Sequence, residues 1–367
     1  MKDTTMSDFN GTGLMSLIDN LADDAVKTRA LTDAIQQADA AHDTYWRLVF
    51  RFEYAWHMAF HDDPPKAIPI GAEFNAILEQ HPDALPPEQK DHMHLVIMQF
   101  TVDPIAALPQ IPISEWKQLM DKFYALTKHY QIGERLYWWR MADFWQYIDS
   151  KQAFEYFKNF WNSKQDKVSD CKACDVSHAI HMSLLTGDRQ AADCYAEPLK
   201  NGRMTFCSDT PQLMWLAYLE DALRRGDLEE ARSFANKLYR EGIRDKSDLG
   251  YLAAILHCWA YVDLELAIQQ IGLRLDWALS MWDQKKKYDF YKASWICFYE
   301  LSKQQDSISL PFSAAFPLYR EDTIYHTDTL AQWFHTEAEK IAARFDARNG
   351  TDYFQRNLAQ ARLAAQN

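Results

Sequence analysis

Leu184-Leu185-Thr186-Gly187-Asp188-Arg189-Gln190-Ala191-Ala192 and, 39 residues on, Leu223-Arg224-Arg225-Gly226-Asp227-Leu228-Glu229-Glu230-Ala231 follow one local plan. Each stretch ends an apolar run with a glycine, follows it with an aspartate and sets an alanine four residues after that aspartate. The Asp-x3-Ala spacing recurs at Asp149/Ala153 and Asp263/Ala267, so the four copies stand 39, 39 and 36 residues apart. Sixteen residues before each alanine is an apolar residue, Tyr137, Val176, Trp215 or Tyr251, and four after it comes Phe157, Ala196, Ala235 or Ile271. An aspartate at a helix start accepts a hydrogen bond from a free backbone N–H. A glycine ends the preceding helix by adopting the left-handed conformation. The alanine, one turn in, lets the helix approach its neighbour closely. The larger residue sixteen positions earlier packs across the pair from the preceding helix. A helix–turn–helix unit repeated at this period predicts an α-solenoid.

Trp215, Ala231 and the Gly-Asp turn are the features by which residues 133 to 285 resemble the tetratricopeptide repeat (TPR) family. The resemblance implies an all-α, right-handed α-solenoid with helical N- and C-terminal caps. The family's period of about 34 is exceeded here, and its first-helix glycine and unit-ending proline are mostly missing, so the repeats are degenerate and lengthened. Working outward, we expect a flexible tail at 1–22, an N-terminal helical region at 23–130 and the repeat array at 131–303. An apolar loop at 304–321, packed on the chain itself, and a capping helix at 322–367 complete the expectation. Prolines between 62 and 112 predict short helices and turns there.

With 367 residues, 48% hydrophobic and 25% charged, the chain has the composition of a folded globular protein. Gly is scarce at 11, and helix formers dominate. A net charge of −13 repels phosphate backbones, which excludes nucleic acid as the expected partner. Lys285-Lys286-Lys287 is the only basic run and reads as a solvated face. No segment has signal-peptide or membrane-spanning character, and six cysteines are too few for a disulfide scaffold. A cytoplasmic protein without membrane contact is the expectation.

One constellation carries chemistry: Cys171, Cys174 and His178, followed by Cys207. Cys-x2-Cys presents two thiolates to one zinc ion, and His178 lies a helical turn beyond Cys174. Both cysteine segments precede the first helix of successive units, so a solenoid brings them to the same edge. A closed four-ligand site of this kind would be a structural zinc; ordinary thiols and a redox pair are the competing readings. The same Cys-x2-Cys-x3-His … Cys pattern, ending ahead of Pro211-Gln212, resembles a bacterial subgroup of tetratricopeptide-like proteins and implies no activity. Cys194 and Cys258 read as small buried hydrophobes within helices. Glu53, His57 and His61 share one helical face, whose ordinary reading is a solvated stripe.

Thirteen Trp, 18 Tyr and 20 Phe exceed what one helix face can hold. Most belong to the core, while Trp138, Trp139 and Trp215, taken as exposed, would anchor a partner. The expected function is therefore non-enzymatic binding of a protein or peptide, basic in character against the acidic surface. The rival is a metal- or thiol-dependent enzyme or redox protein using the Cys/His cluster.

Overall fold

A computed structural model describes residues 9–61, 63–207, 209–241 and 243–362, without the His61 side chain. Residues 1–8 of the expected tail and 363–367 lie outside that description. The described residues form an all-α fold with a single two-stranded sheet, and no helix among them is long and apolar enough to cross a membrane. The chain divides into two compact units.

The first unit comprises residues 1–107, 111–137 and 164–169. It holds α1 (Gly11–Asp19), α2 (Ala25–Ala40), α3 (Thr44–His61), α4 (Ala67–Gln80), α5 (Pro87–Ala106) and α6 (Ile113–Tyr130), each packed on the next. Helix α1 corrects the expected loose tail. The Asn10 side chain caps it by accepting from the Gly13 N–H, and Gly11 lies so close to Trp46 that a Cβ there would meet the ring at 2.2 Å. The prolines do not shorten the next helices as expected, since α4 runs 14 residues and α5 runs 20. Pro87 opens α5 and Pro112 caps α6, positions where a missing N–H costs no helical hydrogen bond. His57 is 2% exposed and lies 3.0 Å from the Thr28 hydroxyl, so this member of the stripe is inside rather than solvated, while Glu53 is half-buried. The His61 side chain, the third member of that stripe, lies outside the described residues.

The second unit comprises residues 108–110, 138–163 and 170–367. Helix α7 (Glu134–Trp145) begins in the first unit and continues here. It is followed by α8 (Ser150–Asn162), α9 (Lys172–Leu185), α10 (Arg189–Lys200), α11 (Gln212–Arg225) and α12 (Leu228–Glu241). Then come α13 (Leu249–Val262), α14 (Leu264–Ser280), α15 (Gln284–Ser302), β1 (Ser307–Ser309), β2 (Ile324–His326), α16 (Thr327–Asn349) and α17 (Tyr353–Ala359). All four repeated aspartates cap as expected. Asp149 accepts from the Lys151 and Gln152 N–H groups, Asp188 from Ala191, Asp227 from Glu230 and Asp263 from Leu266. Each such cap contributes about 1 kcal/mol. Gly187 and Gly226 hold φ of 80° and 72° at the turns between.

The alanines at the start of the second helices, Ala153, Ala192, Ala231 and Ala267, are fully buried. In consequence α9 packs on α10, α11 on α12 and α13 on α14, while α9, α11, α13 and α15 contact one another in succession. Beyond α15 the long α16 lies along it, and α17 folds back under a cap in which Asp346 accepts from the Phe354 and Gln355 N–H groups at 2.9 Å. The expected apolar loop packs on its own unit: Leu310, Phe312 and Phe316 are buried, Phe316 edge-on to Trp333 at 4.8 Å. Part of it is regular, because β1 pairs antiparallel with β2. Cys194 is exposed on α10, two residues from each of the buried Ala192 and Ala196, whereas Cys258 is buried as expected.

Two outcomes follow from this packing. Ala231→Leu forces a branched side chain between α11 and α12 and lowers stability by about 1–3 kcal/mol in urea unfolding. Burial pushes His94 and His257 down to about 4. Between the ordinary 6.5 and that value the unfolded chain binds more protons than the folded one, so stability falls as pH falls across this window. His257→Gln, which retains a donor for the Ala361 carbonyl that His257 meets at 2.9 Å, flattens that slope in pH-resolved thermal unfolding.

Candidate functional site

Three of the four expected metal ligands converge. Cys171 is the residue before α9, and its Sγ accepts from the Cys174 N–H at 3.5 Å. Cys174 sits in the first turn of α9, 9% exposed. Cys207 arrives on the segment between α10 and α11 and places its Sγ 3.3 Å from that of Cys174. All three sulfurs lie within 4.8 Å of one another, the one group of His, Cys, Asp and Glu among the described residues close enough to hold a metal ion. Zinc–sulfur bonds of about 2.3 Å in a tetrahedron set sulfurs about 3.8 Å apart. The Cys174–Cys207 pair would therefore open by about half an ångström around the ion.

The surroundings divide the thiols. Burial, with the Cys207 and Cys171 sulfurs as neighbours, pushes the Cys174 thiol far up. Burial also works against a Cys207 thiolate, but the Thr210 hydroxyl at 3.4 Å, the Asp209 and Thr210 backbone and the Cys174 thiol outweigh it. Cys207 is held down at about 7.

His178 does not join them, which corrects the expected four-ligand set. Four residues along a helix is a rise of about 6 Å, and Cys207 meets α9 at its first turn. The His178 ring instead stacks on Trp139 at 3.7 Å, with Nε2 3.4 Å from the Asp170 carboxylate. The anchor tryptophans are corrected with it. Trp139 is 6% exposed, Trp138 stacks on Tyr156 at 5.9 Å, and Trp215 packs half-buried between two parts of the core.

A second site is lined by residues of α7, α9, α11, α15 and α17. It is a cavity of about 380 Å³, within the range of small-molecule pockets. Arg224, Lys285 and Lys292 reach it, as do Asp143, Glu220 and Asp289. Lys285 and Lys292 both donate to Asp289, at 2.8 and 3.2 Å, and Lys292 donates to Asn357 at 2.8 Å. Burial opposes the charge on Lys285, yet Asp289, Tyr147 and Glu220 hold it firmly protonated. Opposite, Gln146 donates to the Asp143 carboxylate at 2.8 Å and accepts from His181 Nε2 at 2.8 Å. That orientation puts the His181 proton on Nε2 and leaves Nδ1 a bare acceptor, while burial keeps the ring neutral.

Sequence reasoning missed this cavity and took the lysine run for a solvated face. The three lysines diverge: Lys285 points to the cavity, Lys286 donates to the Ser247 carbonyl and Lys287 to the Leu279 carbonyl. The available signal was the spacing of Lys285, Asp289 and Lys292, which puts opposite charges on one helical face. No known protein family, curated protein or solved structure matches the chain.

Metal-free protein should alkylate first at Cys207. Its reaction with iodoacetamide should rise with pH to half its maximum near 7, while Cys174 stays slow, as peptide mass mapping across pH would measure.

Proposed function

We propose that this chain is a non-enzymatic binding module of the helical-repeat type, its repeats a degenerate TPR-like right-handed solenoid tied together by a structural zinc. The observation that carries the reading is the meeting of Cys171 and Cys174, at the start of one helical pair, with Cys207, just ahead of the next. Such a bond across a pair boundary adds to the apolar packing, the Arg189–Asp221 ion pair and the Arg224–Leu184 hydrogen bond that already join the two pairs. The serial contacts of α9, α11, α13 and α15 support the repeat reading. A protein or peptide segment of basic character is the partner that the net charge of −13 favours.

The thiolates take the metal deprotonated, with Cys207 already near neutrality and the metal's charge drawing the proton from Cys174. Purified protein should carry one zinc per chain by elemental analysis. Cys174→Ser and Cys207→Ser should each lose it together with several degrees of thermal stability, whereas His178→Gln should keep it. Metal-free native protein with unchanged stability in the cysteine variants would remove the clip.

A second reading, metal- or thiol-dependent chemistry, is favoured by one observation: three protein ligands leave a fourth tetrahedral position. Cobalt substitution separates the two. Added imidazole shifts the visible spectrum where that position is open to solvent and leaves it unchanged where the protein closes it.

A further inference from the structure

The cavity between α7, α9, α11, α15 and α17 is a built polar site whose charges are only partly matched from within. Asp289 is satisfied by two lysines, Asp143 by Gln146, and Arg224 by Asp221 and the Leu184 carbonyl. Lys292 uses two of its three donors, on Asp289 and Asn357, and lies over the Tyr288 ring at 5.0 Å. Two groups of opposite sign are left over. Lys285 uses one donor on Asp289 and keeps 34% of its side-chain surface accessible. Glu220 has no hydrogen-bond or ion-pair partner among the described residues, although its charge is felt by Lys285, His181 and Tyr353. The hydroxyls of Tyr147 and Tyr353 likewise donate to no described residue.

A carboxylate and an ammonium that share a cavity without touching leave a gap that a ligand fills at both ends. A simple anion would satisfy Lys285 and leave Glu220 desolvated beside it; a simple cation would do the reverse. An unpartnered buried charge is costly, so each of these binds poorly. A ligand carrying both charges satisfies both groups at once. The remaining wall, which includes Trp139, Leu213, Leu216 and Phe354, is aromatic and aliphatic, and it suits an uncharged side chain.

We propose that this cavity binds a small zwitterion of the free amino-acid type, with its carboxylate on Lys285 and its ammonium on Glu220. The hydroxyls of Tyr147 and Tyr353 supply further hydrogen bonds to the carboxylate, and the bare Nδ1 of His181 accepts a further one from the ammonium. The site is independent of the thiol cluster and of any protein partner, and it goes beyond the module reading.

Isothermal calorimetry on the full chain tests it, with the twenty protein amino acids as probes one at a time. Beside the best of them run its N-acetyl and amide derivatives, and glucose as an uncharged polyhydroxyl probe. The expected result is binding of at least one uncharged-side-chain amino acid, with each blocked derivative weaker by about tenfold or more, the loss of one charged hydrogen bond. Glu220→Gln and Lys285→Met should weaken it by a similar factor while far-UV circular dichroism and the urea midpoint report an intact fold. Lys286→Ala, outside the cavity, should bind as the parent does. Absence of heat from every amino acid would overturn the proposal. So would blocked derivatives or glucose binding as tightly as the free amino acid, or full affinity in both cavity variants.

Discussion

Ala153, Ala192, Ala231 and Ala267 are each fully buried one turn inside a helix whose first free N–H is held by an aspartate four residues before. The close helix contact permitted there is the constraint on which the second unit depends. A larger side chain would hold the two backbones apart, and an uncapped start would leave donors unpaired at a packed turn. The contact recurs at nearly constant spacing, and α9, α11, α13 and α15, the first helices of successive pairs with α15 after them, touch in succession.

Both chemical sites follow from that arrangement. Thiols from successive pairs meet because the segments that lead into first helices come to the same edge. The cavity exists because residues a turn apart on α7, α9, α11 and α15 point to one space that α17 also lines. Its polar groups are carried on helices and held by one another, Asp143 to Gln146 to His181 on one side and Lys285 to Asp289 to Lys292 on the other. Such chains fix proton positions as well as side-chain orientations.

Much of the aromatic content of the second unit is spent on packing. Tyr218 stacks on Phe234, Phe298 on Phe334, and Phe345 on Phe354, all within the second unit. The acidity is put to structural use as well: Asp24, Asp149, Asp188, Asp263 and Asp283 cap helices, while Asp346 organises the turn into α17. A net charge of −13 therefore overstates how many carboxylates are idle on the surface.

The helical character, the four caps, the buried alanines and the positive-φ glycines were legible in the chain, because each depends on residues within about one turn of itself. The Cys171–Cys174–Cys207 trio was legible for a related reason, since a repeat turns a separation of tens of residues into adjacency. His178 was assigned to the wrong neighbours: its spacing from Cys174 is right for a shared face, but the height at which Cys207 arrives and the stacking on Trp139 are set by other elements. The same limit hid the cavity and the burial of Trp139. Which lysine of an adjacent three turns inward, and whether a ring is covered, depends on helices up to two hundred residues away. Local pattern decides which elements form and where they stop, whereas the close packing of distant elements decides what each side chain touches, and only the folded chain contains that information.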